Sequence, residues 1–250
     1  MILLQTVDLC KRYGGLVATD QLSIEVRRGE LHAIIGPNGA GKTSLINQLG
    51  GELDPTSGKI LFMGDDITHH RPDERAQLGI ARSYQITSLF SEMSVLENVV
   101  LAVQARKGHN FGCWAPAIKQ RQLVEPAMAA LASVHMEAFA KARVSSLAHG
   151  FRRQVELAMT LAMEPQVLLL DEPLAGMSHE ESIEMTDVLS NLKGKYGVLL
   201  VEHDMDAVFK LADRISVLTY GKLLASGNVD FIRSHPGVKT AYLGDEELVS

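Results

Sequence analysis

Along the chain the rhythm of apolar and polar positions changes twice. Leu22-Ser23-Ile24-Glu25-Val26 alternates residue by residue, the pattern of a strand with one buried face, and Arg28-Gly29-Glu30 supplies a turn. Leu31 to Ile35 is a second, more continuously apolar run, followed at once by a glycine-rich loop and a helical pattern. Ile60 to Met63, bracketed by Ser57-Gly58-Lys59 and Gly64-Asp65-Asp66, predicts another short strand. Met1-Ile2-Leu3-Leu4-Gln5 has neither the basic flank nor the apolar length of a secretory signal and predicts the first strand. From about Ser94 to Met163 the pattern is helical and rich in Ala and Met. It opens with Ser94-Val95-Leu96-Glu97, the S-x-x-E form of a capping box. Within it, Gly108 to Pro116 reads as a connector. After Met163 two strands of buried type, Val167 to Leu170 and Gly197 to Val201, flank a helical segment near Glu180 to Leu192, which is the α/β alternation of a parallel sheet. A hairpin from Ile215 to Ser226 around Tyr220-Gly221 and a terminal helix complete the pattern.

Composition narrows the function classes. With 250 residues, 46% of them hydrophobic, the chain can bury one substantial core, and no apolar run approaches the roughly 20 residues that cross a bilayer. A formal net charge of −6 argues against broad nucleic-acid binding, which needs clustered Lys and Arg. The pair Arg152-Arg153 is expected on a solvated helix face. Cys10 and Cys113 lack metal or redox spacing and read as plain thiols of a reducing compartment.

The chemistry is concentrated at three strand ends. Gly36-Pro37-Asn38-Gly39-Ala40-Gly41-Lys42-Thr43 fits G-x-x-x-x-G-K-[ST] and lies between an apolar strand and a helix, the context of a phosphate-binding loop. Its glycines let backbone N–H groups turn towards phosphates, the helix N-terminus adds positive potential, Lys42 reaches the β and γ oxygens, and Thr43 suits Mg²⁺. Val167 to Leu170 ends in Asp171-Glu172-Pro173. A carboxylate there is expected to hold Mg²⁺, directly or through water, at Asp171, and to orient or deprotonate the attacking water at Glu172. Val198 to Val201 ends in Glu202-His203, and His203 stands where parallel-sheet enzymes meet their ligands, as a γ-phosphate contact.

Together the phosphate loop, Gln85 in Arg82-Ser83-Tyr84-Gln85, Leu-x-x-Gly before a helix, Asp-Glu-Pro and the strand-end His resemble an ABC ATPase cassette over nearly the whole chain. The resemblance implies an α/β fold: a P-loop NTPase (RecA-like) parallel-sheet core with an N-terminal antiparallel β subdomain and an α-helical subdomain inserted in the middle. Residues 1–250 then form a single ABC ATPase domain, with 1–85 and 164–250 as the nucleotide-binding core and 86–163 as the helical signature subdomain. ATP and Mg²⁺ are the implied ligands. The implied ATP contacts are Tyr13, stacking on adenine, the loop residues Gly36 to Thr43 with Ser44, and Gln85, which with Thr43 and Asp171 holds Mg²⁺. The family signature Leu-Ser-Gly-Gly-Gln corresponds to Leu147-Ala148-His149-Gly150-Phe151, which lacks the serine and the glutamine. It precedes a helix with Val155, Ala158, Met159 and Ala162 on one apolar face. The resemblance implies that this helix N-terminus points at the γ-phosphate held by a second cassette, so that two cassettes sandwich two ATP molecules head to tail. Leu174-Ala175-Gly176-Met177 departs from the common Ser-Ala-Leu-Asp, which puts the usual cross-dimer aspartate in question.

Ala-Gly-Met after Asp-Glu-Pro, Val-Glu-His-Asp-Met around His203, and the ending Ala241-Tyr242-Leu243-Gly244-Asp245 resemble one subgroup, the branched-chain amino acid importer ATPases of the LivG type. That implies a peripheral subunit on the cytoplasmic face of the bacterial inner membrane. Its partners would be a second, shorter cassette or a second copy, two membrane permease subunits and, indirectly, a solute-binding protein. Ile86 to Met93, with Leu89 and Phe90, is either the surface that docks the permease or a buried packing segment. A lipopolysaccharide-export ATPase shares the Tyr-Leu-Gly ending but normally keeps the signature serine, and importers of amides, urea or aromatic acids share the rest. A DNA-repair or chromosome ATPase needs a long coiled-coil insertion and a translation factor a duplicated cassette, and neither is present. A subunit that binds ATP but hydrolyses it poorly fits less well with intact Glu172 and His203.

Overall fold

The computed structural model describes residues 1–83, 89–107 and 117–242. It comprises two compact units, Met1–Ile80 with Gln166–Glu172 and Lys193–Ser250, and Ala81–Pro165 with Pro173–Leu192.

The first unit holds two sheets. One is antiparallel and built on β1 (Ile2–Tyr13), which pairs with β2 (Leu16–Leu22), β3 (Glu25–Arg27) and β5 (Ser57–Phe62), with β6 (Asp65–Asp66) beyond β5. The other runs in the order β11 (Lys222–Gly227), β10 (Arg214–Thr219), β4 (Leu31–Ile35), β9 (Gly197–Val201), β8 (Val167–Asp171), β7 (Ile80–Arg82), the first unit's share of β7 being Ile80. The pairs β10–β4, β4–β9 and β8–β9 are parallel, and every residue of β4, β8 and β9 is buried, as continuous apolar runs in a covered sheet require. Helix α1 (Lys42–Gly50) supplies Leu45, Ile46 and Leu49 to one core. They meet Leu3, Leu4 and Val26 of the antiparallel sheet and Leu169, Leu199 and Val201 of the parallel one. Leu169 is two residues from Val167, and Leu199 two from Val201, so one pleat face of each strand fills this core.

Two strand expectations need correction. The alternating run Leu22 to Val26 is broken: β2 ends at Leu22 and β3 begins at Glu25. The buried Thr6 hydroxyl donates to Leu22 O (2.8 Å) and accepts from Ile24 N–H (2.9 Å), replacing ladder bonds at the break. Leu22, Ile24 and Val26 are nonetheless all buried, so the alternation identified the inward residues but not the change of pairing. Met63, expected at a strand end, turns out with φ 51° and is exposed. The terminal helix is two helices, α8 (Val229–Ser234) and α9 (Pro236–Tyr242), because His235 precedes a proline and takes an extended conformation.

Helix α2 (Pro72–Leu78) turns Arg75 inward, where it is almost wholly buried. Its guanidinium donates to five carbonyls: Gln48 (2.6 Å) and Leu49 (2.8 Å) in the last turn of α1, Ile67 and Thr68 (2.9 Å each), and His70 (3.0 Å). Burial pushes its pKa down to about 10, which still leaves it charged at neutral pH.

His32, the second residue of β4, is equally buried. Nδ1–H donates to Glu25 O (2.9 Å), and Nε2 is hydrogen-bonded to the Ser216 hydroxyl (2.8 Å). Burial first, then the Arg214 charge, pushes its pKa down to about 3 from 6.5. The folded chain therefore keeps this ring neutral, while the unfolded chain takes up a proton as pH falls through 6.5. Stability is complete above that value and declines between 6.5 and 3, by about 1.4 kcal/mol per pH unit, or roughly 2 kcal/mol by about pH 5. Unfolding free energies from urea titrations at pH 7 and pH 5 should differ by this amount in the native chain. The difference should shrink in His32→Gln; an equal divergence in both would assign the loss to other groups.

The second unit is helical. α3 (Val95–Lys107), α4 (Arg121–Ser133) and α5 (His149–Ala162) pack together through Val99, Val103, Ala127, Leu131, Val155 and Ala158, all fully buried or nearly so. The expected capping box is formed, with Ser94 N–H on Glu97 Oε2 (2.7 Å) and Glu97 N–H on Ser94 Oγ (3.2 Å). α6 (His179–Ser190), expected with the nucleotide-binding core, groups with this unit, held to α5 by a bond from Gly150 N–H to Glu181. Arg153 is also not solvated: its side chain is 13% exposed and paired with Glu156 at 3.1 Å, which corrects the reading of Arg152-Arg153 as an open basic face. Gly108 to Pro116, including Cys113, lie outside the described residues.

Candidate functional site

Parallel register builds the site. Ile34 of β4 is level with Val201 of β9, and Val201 with Asp171 of β8. The residues that follow these positions therefore leave the sheet side by side at its C-terminal edge, where open α/β sheets bind ligands. They are Gly36 to Gly41, Glu172, and Glu202-His203.

The loop Gly36–Gly41 turns into α1 with positive φ at three glycines, Gly36 (155°), Gly39 (79°) and Gly41 (103°). At two of these no side chain fits: a Cβ on Gly36 would sit 2.3 Å from Leu218 O, and one on Gly41 2.2 Å from Ala18 O. The obstacles are backbone atoms, so neighbouring side chains cannot relieve them. Gly41 is the N-cap of α1, leaving the first N–H groups of that helix and its positive end free for an anion. Lys42 is buried and its Nζ donates to Gly36 O (2.6 Å) and Pro37 O (3.2 Å), which holds the ammonium across the loop. Burial lowers its pKa; the carboxylates of Glu172 and Asp171 act the other way without fully offsetting it. Thr43 and Ser44 follow in the first turn of α1.

Asp171, the last residue of β8, is buried. With the Thr43 hydroxyl it offers hard oxygen donors, the chemistry that suits Mg²⁺ shared between protein and phosphate. Glu172 is left-handed, with φ 48°, and its N–H is tied to Val201 O at 2.8 Å. A non-glycine residue pays about 1–3 kcal/mol for that conformation, and the strand-to-strand bond holds it there. The Glu172 carboxylate Oε1 lies 3.9 Å from His203 Nδ1. His203 is 66% exposed, whereas its neighbour Glu202 is buried, with Oε2 accepting from His203 N–H at 3.0 Å. Asp204 caps α7 (Met205–Leu211) through Ala207 N–H, which ends the loop that carries the histidine. Glu202 was not singled out in the sequence. The signal available was an acidic residue inside an apolar strand end, where a carboxylate needs partners.

Tyr13 ends β1 in the same unit, half exposed, opposite Leu16, with Lys11 Nζ 5.2 Å from its ring centroid. The paired strand β2 reaches the loop at Ala18. Gln85 lies outside the described residues, as do Ile86 to Ser88 of the candidate docking segment and Leu243 to Asp245 of the C-terminal motif. Of the docking residues described, Leu89 is half-buried and Phe90 exposed.

In the helical unit, Leu147 is buried, Ala148 is the N-cap of α5 with no side-chain cap, and His149, Gly150 and Phe151 open the helix. Phe151 packs against Phe139 with ring centroids 5.0 Å apart and planes tilted by 33°, at the position where the family signature has glutamine.

Comparison with known proteins shows the family. A profile of the ABC transporter family matches residues 19–175. The chain is 36% identical over 250 residues to the high-affinity branched-chain amino acid transport ATP-binding protein LivG of Salmonella typhimurium, covering 97% of this chain and 98% of that protein. It is 33% identical over 245 residues to the lipopolysaccharide export system ATP-binding protein LptB of Acidithiobacillus ferridurans, covering 98% of each. Among solved structures, the ADP conformation of MJ1267, an ATP-binding cassette of an ABC transporter, is similar with a TM-score of 0.84 at 30% identity, over 98% of this chain and 100% of that one.

Proposed function

We infer what this chain does from what it is: it belongs to the ABC transporter family. It is an ATP hydrolase of that family, and we propose that it powers uptake of branched-chain or related hydrophobic amino acids. The observation that carries the reading is the common strand edge from which the glycine loop, Asp171, Glu172 and His203 all project. In this reading the loop N–H groups of Gly36 to Gly41, with Lys42, Thr43 and Ser44, hold the phosphates of ATP, and Tyr13 stacks on the base. Thr43 and Asp171, together with Gln85, hold Mg²⁺, which when bound neutralises charge on the transferring phosphoryl group. Glu172 orients or deprotonates the attacking water. His203 contacts the γ-phosphate, so that catalysis is mainly positioning and charge stabilisation.

A second cassette, either a shorter relative or another copy, completes the assembly head to tail, with Leu147 to Phe151 at the start of α5 facing the partner's ATP. ATP closes the pair and hydrolysis reopens it, moving two permease subunits that receive solute from a binding protein. No helix among the described residues is long and apolar enough to cross a membrane, and the chain's expected place is peripheral, on the cytoplasmic face of the inner membrane. Identity to LivG over nearly the full length favours amino-acid import over the lipopolysaccharide export of the somewhat less similar LptB.

The test is uptake of labelled leucine, isoleucine and valine into vesicles carrying the chain with its co-purifying membrane subunits and binding protein, with ATP on the cassette side. Uptake should require ATP and disappear with Lys42→Ala. ATP hydrolysis without uptake of any of the three, but stimulated by another solute or by lipopolysaccharide, would overturn the substrate assignment.

A further inference from the structure

The start of α5 is already occupied by a carboxylate of this chain. α5 is 14 residues long, has no acidic residue in its own first turn, and has as its N-cap Ala148, whose methyl group offers no cap hydrogen bond. Its Gly150 N–H instead donates to Glu181 Oε1 at 3.0 Å. The other oxygen, Oε2, accepts from Ser178 N–H at 2.9 Å in the capping box of α6. Position 150 fits this approach because it is glycine: a Cβ there would lie 2.7 Å from Glu181 Oε1 and 2.8 Å from the carbons behind it. The Ser178 and then the Gly150 backbone bonds hold the Glu181 pKa below the ordinary carboxylate range, so the group is an anion at neutral pH. Glu181 thus gives the N-terminus of α5 what a phosphate oxygen would give it, a negative oxygen on a first-turn N–H.

We propose that Glu181 is a displaceable internal cap of the signature helix, competing with the partner's nucleotide for Gly150 N–H and so raising the ATP concentration at which two cassettes close. The proposal rests on the reading above that α5 faces the partner's ATP. Unlike the absent serine at Ala148, which removes an attractive contact, Glu181 adds a competing one. The carboxylate does not have to leave the protein. Its bond to Ser178 holds it on α6 while Gly150 is handed over.

The experiment uses the assembled transporter with Glu172→Gln, so that MgATP is held unhydrolysed, and reads closure of the cassette pair by a distance-sensitive label while MgATP is titrated. Glu181→Ala should lower the half-maximal MgATP concentration about three- to tenfold. Glu181→Gln, which keeps an acceptor but no charge, should fall between Glu181→Ala and native. Ser178→Ala weakens the α6 cap but leaves the carboxylate on Gly150, and should stay within about twofold of native. This separates competition from general loosening of α6. An unchanged or raised half-maximal concentration in both Glu181 variants would overturn the proposal. Ala148→Asp distinguishes the two levels of failure, because it fixes a carboxylate at the helix start that nucleotide cannot displace. If it impairs closure strongly while the Glu181 variants do nothing, α5 faces the nucleotide and Glu181 is not a competitor; if it too does nothing, the reading of α5 has failed.

Discussion

Glu172→Gln should reduce ATP turnover of the assembled transporter at least about a hundredfold, equivalent to about 2.7 kcal/mol of barrier, while ATP affinity is kept. The substitution is nearly isosteric, so the left-handed backbone at φ 48° and the N–H bond to Val201 O are unaffected. What changes is charge: the oxygen that would accept or orient a water proton, 3.9 Å from His203 Nδ1, becomes part of a neutral amide. Affinity should not fall, and has reason to rise, because one of the carboxylates bearing on Lys42 disappears from a site that binds a polyanion. The measurement is steady-state turnover beside equilibrium nucleotide binding on the same preparation. Turnover within a few-fold of native would remove Glu172 from the chemistry, and parallel loss of affinity would show that the change had disturbed the loop instead.

Arg75→Ala should cost roughly 3–5 kcal/mol of stability, the range found when a buried group that satisfies several partners is removed. Five carbonyls lose a side-chain donor at once, although Gln48 O keeps Gly51 N–H and Ile67 O keeps His70 N–H; two of the five are at the C-terminus of α1, where a cation also answers the negative end of the helix. Water entering the vacated volume limits the loss to less than the sum of five bonds. Arg75→Lys should recover only part of it, since an ammonium has three donors and no planar fork. Chemical denaturation of both variants tests this. Native-like stability of Arg75→Lys would mean that charge alone, and not the fan of bonds, holds the end of α1.

The features legible in the sequence were those written locally. Continuous apolar runs marked β4, β8 and β9, and the fixed spacing of Gly36, Gly41, Lys42 and Thr43 marked the loop between strand and helix. The expected parallel-sheet core, antiparallel sheet and helical region are all present. What escaped was set by partners far along the chain. Alternation from Leu22 to Val26 could not reveal a strand break, because the break is made by the Thr6 hydroxyl on another strand. Arg75 was not singled out in the sequence, and the carbonyls of residues 48, 49, 67, 68 and 70 around it explain its burial. Glu181 belongs to the capping box of α6, which is local. That its second oxygen reaches Gly150, 31 residues earlier, depends on how α5 and α6 pack.

The order of strands in the parallel sheet also governs how the protein comes into being on the ribosome. β4, which leads into the glycine loop, has as neighbours only β9 and β10, both from the far end of the chain. Roughly 165 residues must be translated after Ile35 before β9 is complete at Val201, which at about 5–20 residues per second takes roughly 8–30 s. Meanwhile α3, α4 and α5, neighbours in sequence, have their packing partners already made and can close on one another. The nascent chain therefore carries a packed α3, α4 and α5 while an apolar strand still has two open edges. The vulnerable period of synthesis, when aggregation or chaperone capture competes with folding, ends only with the strands that also deliver His203 to the site.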